Sequence, residues 1–465
     1  MAKKPKISFV CQECGYDSPA YMGKCPECGN WNTFKEFKEI AIGTQKGSDA
    51  LIANTSLRPQ KLTDIVYSET SRIQTKFKEL NTVMGGGIVA GSAILLAGDP
   101  GIGKSTLLLQ LCLSLAQDGK SVLYISGEES VEQIKMRADR ILLKNSASTK
   151  GAKSGEQKVD SLLLVSLTDP DQAILQIEEI KPDLIVVDSI QTMQSQNLEG
   201  LSGSVGQVRY SAMHYIRAAK ALAIPLILVG HVTKDGMVAG PMVLSHMVDT
   251  VLFLEGEKFT STRILRSLKN RFGPVDEVGI FLMDEEGLKE VANPEQIFLT
   301  QKAGNVPGSV LVVTMEGTRA FLVEIQALAV YSKLPMPRRV VSGLDQKRVE
   351  LLLAVLQKHC RLPVETMDIF VNVAGGLKLS DPGIDLGICL AIYSSVKNIP
   401  MSQTVGIAEV GLLGELRGVA GLDKRIREAE KLGFKDIVST KSHKFLSQVL
   451  SSRSSQTSVK EVYRS

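Results

Sequence analysis

The chain lacks the marks of several common protein classes. No run reaches the roughly 18 uninterrupted apolar residues of a membrane-spanning helix. The basic opening MAKKPK leads into no apolar stretch, so no secretory leader is expected and the reading is a cytoplasmic protein with no membrane partner. Net charge is only +4 over 465 residues, which permits contact with nucleic acid without arguing for it. Aromatic residues make up 5%, leaving few stacking platforms for bases. Seven cysteines in so long a chain do not form a disulfide framework. Cys112, Cys360 and Cys389 lie scattered in apolar surroundings and read as small buried hydrophobes. No internal repeat is visible.

What is present divides the chain. An apolar content of 44% is ordinary for a globular protein, and the length suggests two to four domains. Residues 1–36 form a Cys-rich module, and the polar stretch 37–60 reads as a linker. Across 61–288, apolar runs alternate with helical patterns such as VRYSAMHYIRAAKALA. The runs are SAILLAG, SVLYISG, DSLLLVSL, DLIVVDS, IPLILVGH and TVLFLEG. Strands apolar at every position suit a parallel sheet covered on both faces. Their alternation with helices implies right-handed crossovers and a doubly wound α/β domain. The Lys-, Ser- and Gly-rich stretch 143–158 reads as a surface loop. Residues 289–465 form a separate α/β domain, with paired strands over 307–330 and helices over 347–360, 385–398 and 421–433. Its polar end is expected to fray.

Four motifs carry chemistry. Cys11-Gln-Glu-Cys14 and Cys25-Pro-Glu-Cys28 supply four thiolates, enough for a tetrahedral Zn2+ site. Four protein ligands leave no open position, so this zinc would support folding and not catalysis. Gly98-Asp99-Pro100-Gly101-Ile102-Gly103-Lys104-Ser105-Thr106 follows an apolar strand and opens the helix STLLLQLCLSLA. That is the context of a phosphate loop for a nucleoside triphosphate. Backbone amides and the helix N-terminus cradle the phosphates, Lys104 supplies charge, and Ser105 offers its hydroxyl to Mg2+. Asp188, ending LIVVD, suits the Mg2+-holding carboxylate. In YISGEES, Glu128 or Glu129 could polarise the attacking water. Glu128 is preferred, although either could serve as a helix-start charge. A compact basic group, Lys269-Asn-Arg271, lies far downstream in SLKNRFGPV.

Together, CxxC…CxxC, GDPGIGKS, YISGEES, VVDS, VGHVTKDG and KNRFG resemble the bacterial RadA (Sms) family of DNA-recombination proteins over nearly the whole chain. The core is similar to RecA recombinase and DnaB-type ring helicases, which implies ATP at the interfaces of a homo-hexamer. In that resemblance Arg271, with Lys269 beside it, would reach the neighbouring subunit's γ-phosphate, and an arginine finger accelerates phosphoryl transfer by orders of magnitude. Alternation along a strand would put Lys269 and Arg271 on one face, with Gly273 and Pro274 ending the strand. His231 occupies the γ-phosphate sensor position and would pass its state to a DNA-binding loop from Thr233 to Gly240. Residues 200–209, with Arg209, would form a second DNA-facing loop. The C-terminal domain resembles the α+β peptidase domain of Lon (ribosomal protein S5 domain 2-like). Asp385 stands there in place of the nucleophilic serine and Asp423 in place of the lysine, with Lys424 adjacent, so no peptidase dyad is expected. Arg338, Arg339, Lys347 and Arg348 form a candidate basic cluster. The resemblance implies an ATP-, Mg2+- and Zn2+-dependent motor for branch migration on single-stranded and branched DNA, acting with RecA recombinase. The rival expectation is an ATP-gated scaffold that does not translocate.

Overall fold

In a computed structural model, the described residues are 6–11, 16–27, 29–39, 72–148, 159–231, 244–256, 261–291, 306–401 and 403–453. The chain divides into two units, Met1–Glu290 and Val291–Ser465. No described helix is long and apolar enough to cross a membrane.

The first unit begins with a small sheet in which β1 (Lys6–Cys11) is flanked by β2 (Asp17–Ser18) and β3 (Phe34–Glu39). The six apolar runs of the core then form β4 (Ala93–Gly98), β5 (Val122–Ser126), β6 (Leu162–Ser166), β7 (Leu184–Asp188), β8 (Leu226–His231) and β9 (Thr250–Glu255). Three further strands, β10 (Thr262–Asn270), β11 (Val278–Asp284) and β12 (Gly287–Glu290), extend the sheet antiparallel. The order across the sheet is β12-β11-β10-β9-β4-β8-β7-β5-β6. Every residue of β4, β5 and β7 is buried, which is why these runs show no polar alternation.

Among the described residues, the longer helices that cover the sheet are α1 (Lys104–Gln117), α2 (Val131–Ser148), α3 (Pro170–Ile180) and α4 (Val205–Ala221). One core layer packs Ile94, Leu96, Tyr124 and Val186 against Leu109 of α1 and Ile134 of α2. The opposite layer packs Leu95, Ile125 and Val187 against Ile177 of α3 and Tyr215 of α4. Helices on both faces make the doubly wound architecture. Two loop expectations change. Residues 143–148 continue α2, and only 149–158 lie outside the described residues. α4 starts at Val205, so Arg209 is helical and the irregular part of 200–209 stops at Ser204.

The second unit has a six-stranded sheet. Its strands are β13 (Ser309–Glu316), β14 (Arg319–Tyr331), β15 (Arg339–Ser342), β16 (Met367–Val373), β17 (Thr404–Ile407) and β18 (Asp436–Ser439), in the order β15-β16-β14-β13-β17-β18. Its helices include α5 (Gln346–Cys360), α6 (Asp385–Lys397) and α7 (Leu422–Lys431). α6 is buried from Asp385 through Ser394, as its near-continuous apolar sequence requires.

Candidate active site

Register brings the chemistry together. Gly98 pairs with His231 across β4 and β8, and Ser126 pairs with Asp188 across β5 and β7. The C-terminal ends of four adjacent parallel strands therefore line one edge of the sheet, where ligands of open α/β folds bind. Gly103 caps α1 in the left-handed region at φ 112°, with no side-chain cap. A side chain is strained at that φ whatever the space around it, so the position favours glycine. The first-turn amides of α1 have no capping side chain to meet them, an arrangement suited to phosphate oxygens.

Lys104 is buried, at 3% exposure. Its Nζ donates to Gly98 O at 2.8 Å and Asp99 O at 3.0 Å, and lies 3.2 Å from His231 Nδ1. Burial pushes its pKa down, against the pull of Asp188 and Glu128. An ammonium has no acceptor, so Nδ1 of His231 must accept. The remaining ring proton then sits on Nε2, which is 3.3 Å from Glu128 Oε1. His231 thus links the phosphate-loop lysine to the carboxylate. Gln191 Nε2 donates to the His231 carbonyl at 3.3 Å.

Glu128 also accepts from Ser189 Oγ at 2.5 Å. The His231 bond, followed by the Ser189 bond, lowers its pKa to about 2. Glu129 instead pairs with Arg137, and Ser126 Oγ receives its backbone N–H at 2.9 Å. Of the two candidates, only Glu128 faces the Lys104–His231 edge. Asp188 is buried and accepts from Tyr124 Oη at 2.5 Å. Arg263, which sequence reasoning passed over, lies buried behind the loop and donates from Nε to Ile102 O at 3.0 Å.

Models of three families match the chain: a rubredoxin metal binding domain over residues 9–36, an AAA domain over 56–237, and subunit ChlI of Mg-chelatase over 338–443. The DNA repair protein RadA of Bacillus subtilis is 47% identical over 437 residues, spanning 94% of this chain and 92% of its own. That of Halalkalibacterium halodurans is 47% identical over 443 residues, spanning 94% and 93%. That of Streptococcus pyogenes serotype M6 is 46% identical, spanning 95% and 94%. The chain belongs to the RadA family. In RadA terms it has a zinc-ribbon N-terminus, a RecA-like phosphate-loop ATPase core and a Lon-like C-terminal domain.

In this RadA-family chain Arg271 does not share a strand with Lys269 as expected. β10 stops at Asn270, and its register slips opposite Val251 and Leu252, leaving Leu268 unpaired and 60% exposed. Lys269 is not free beside Arg271. Its Nζ donates to Ser245 O at 2.6 Å and Val248 O at 2.8 Å. Burial and the Arg271 charge lower its pKa. Arg271 is 58% exposed and tethered to buried Asp249 at 3.2 Å, a carboxylate shared with Lys220. Gly273 does not end the strand. A Cβ built on it would lie 2.8 Å from Gly85 Cα, so the two backbones touch. Arg72 clamps the same junction, donating to Gly85 O at 2.6 Å and Phe272 O at 2.8 Å. The sequence carried no signal for Asp249 or Arg72, because their partners are distant in the chain.

In the zinc module, Cys11 and Cys25 are buried together against Phe34. The Gly29 amide donates to Cys25 O at 2.9 Å, closing a turn that fits a metal knuckle. Cys14 and Cys28 lie outside the described residues, as does the segment 233–240. In the second unit, Asp385 at the start of α6 is 1% exposed and accepts from Arg348 Nε at 3.1 Å and Val410 N at 3.1 Å. Burial raises its pKa against the Arg348 pairing. Asp423 pairs with Lys441 at 2.5 Å, and Lys424 donates to Thr318 O. Half of the expected basic cluster is spent internally. Arg348 neutralises Asp385, and Arg339 donates to Val364 O at 2.6 Å and to Met367 O. Arg338 and Lys347 are the exposed members.

Proposed function

We propose that this chain is a Mg2+- and ATP-dependent DNA motor that drives branch migration of recombination intermediates. Its parts would be a zinc module (1–36), a linker (37–60), the ATPase core (61–288) and a Lon-like domain without a peptidase dyad (289–465). The reading rests mainly on the Lys104–His231–Glu128 chain. It couples the phosphate loop, the water-polarising carboxylate and the residue that leads directly into 233–240.

Ser105 and Asp188 would hold Mg2+, which would neutralise the charge that develops on the phosphoryl group of ATP at the loop. Lys104 rests on its own loop's carbonyls and on His231. A γ-phosphate competes for that ammonium, which releases Nδ1 of His231 and frees the ring to turn. Glu128, relieved of one donor, then orients the attacking water. Movement of His231 carries the nucleotide state toward the DNA-facing segment. Arg271 is long and its guanidinium stays 58% exposed while it pairs with buried Asp249, so it is available to an adjoining subunit of a hexamer.

The test is ATP-dependent extension of a three-stranded DNA joint formed by RecA recombinase, with Arg271→Ala beside wild type. Extension by wild type, lost in the variant while oligomers persist, supports a motor with a finger acting in trans. DNA-stimulated ATP turnover without extension favours a nucleotide-gated scaffold and overturns the motor.

A further inference from the structure

Tyr124 is the one aromatic residue in a layer of aliphatic side chains from β4, β5 and β7, packed with Leu96, Val186 and Leu109. It is 2% exposed. A phenol at that depth needs a hydrogen-bond partner, and a phenylalanine would fill the same space without one. The partner is Asp188 Oδ2 at 2.5 Å. Register explains the meeting. Tyr124 pairs with Val186 on the neighbouring parallel strand, and Asp188 lies two residues further along the same face. Among the described residues this is the only side-chain hydrogen bond that Asp188 makes. One carboxylate oxygen is thus occupied from below, and Oδ1 is left for the nucleotide side.

We infer that Tyr124 is a positioning residue for divalent-cation binding, locking the Asp188 carboxylate in one rotamer with Oδ1 presented to Mg2+. The inference rests on the nucleotide-site reading above. A carboxylate at the end of a strand turns freely about χ2 unless one oxygen is anchored. Anchoring it in advance removes an ordering cost from metal binding. Outer partners of metal ligands are worth about 10- to 100-fold in affinity.

The experiment titrates Mg2+ into full-length protein with a fluorescent ATP analogue, comparing wild type with Tyr124→Phe. Binding of the analogue in EDTA is measured alongside, with thermal unfolding as a check on packing. The expected result is a Mg2+ midpoint raised about 10-fold or more in the variant, with binding in EDTA unchanged. A wild type that depends on Mg2+ and a variant with the same midpoint overturn the inference alone. Equal losses with and without Mg2+ also overturn it, because the hydroxyl would then support the fold and not the ion. A wild type that binds nucleotide without regard to Mg2+ overturns the nucleotide-site reading and this inference together.

Discussion

Replacing Gly273 by alanine separates the structural from the chemical content of KNRFG. The added Cβ would sit 2.8 Å from Gly85 Cα, closer than real Cβ atoms approach other heavy atoms. The obstacle is backbone, not the tip of a flexible side chain, so one segment must move. Overpacking of this kind costs about 1–3 kcal/mol. In a unit of this size each kcal/mol lowers Tm by about 2–4 °C. Gly85→Ala meets the same contact and adds strain, because Gly85 sits at φ 74°. Two changes at one contact should not add, and the double variant should lose less than the sum of the singles by about 0.5–3 kcal/mol. Arg271→Ala gives the contrast. Its guanidinium is 58% exposed, and Lys220 still pairs the buried Asp249 when Arg271 is removed, so the cost to stability should be about 1 kcal/mol. Thermal unfolding of the four proteins, followed by ATP turnover, reads both properties. A Gly273→Ala protein with unchanged Tm would refute the packing argument. An additive double variant would show that the two glycines do not share one constraint.

Glu128→Gln should lower ATP turnover by about 10²- to 10⁴-fold while leaving nucleotide affinity within a few-fold, and steady-state turnover above a tenth of wild type would sink its assignment. Glu128 has a folded pKa of about 2 against an ordinary 4.5, so its bond to His231 stabilises the protein above pH 4.5 and is lost as pH falls toward 2. With the carboxylate 43% exposed, solvent screening holds that term to about 1 kcal/mol. The stability gap between wild type and His231→Ala should therefore narrow across that window in acid unfolding. In the second unit, Asp381→Ala strands Arg425, which is 2% exposed and pairs with Asp381 at 2.5 Å. The loss should be about 3–5 kcal/mol, seen as early unfolding of the C-terminal unit by hydrogen exchange. Chelation of zinc should change the fluorescence of Trp31, the chain's single tryptophan, and leave nucleotide binding intact. An unchanged Trp31 signal after verified metal removal would show that the module folds without metal.

The sequence by itself determined the secondary elements and the broad architecture. Strands buried on both faces must be apolar throughout, and phosphate loops need glycine at fixed offsets beside a lysine. These are local requirements, readable in one window. SAILLAG through TVLFLEG became the parallel strands, although the edge strand β6 has no fully buried residue, and GDPGIGKS joins β4 to α1. Local pattern failed where helix propensity outlasted composition, as at 143–148, and where a helix began earlier than the glycines suggested, as at Val205.

Only the tertiary structure decided how charged and polar groups are spent. Glu128 and Glu129 are neighbours, yet one meets His231 and Ser189 while the other meets Arg137. Arg348 looked like part of a basic surface, but a buried Asp385 requires its charge. Arg271 is expected to reach toward a neighbouring subunit, and Asp249 holds it within its own chain. Gly273 looked like a strand terminator, and Gly85 explains it. The physical reason is common to all four. Burial and pairing depend on what approaches from another part of the chain, and side-chain partners joined through space leave no periodic trace in sequence.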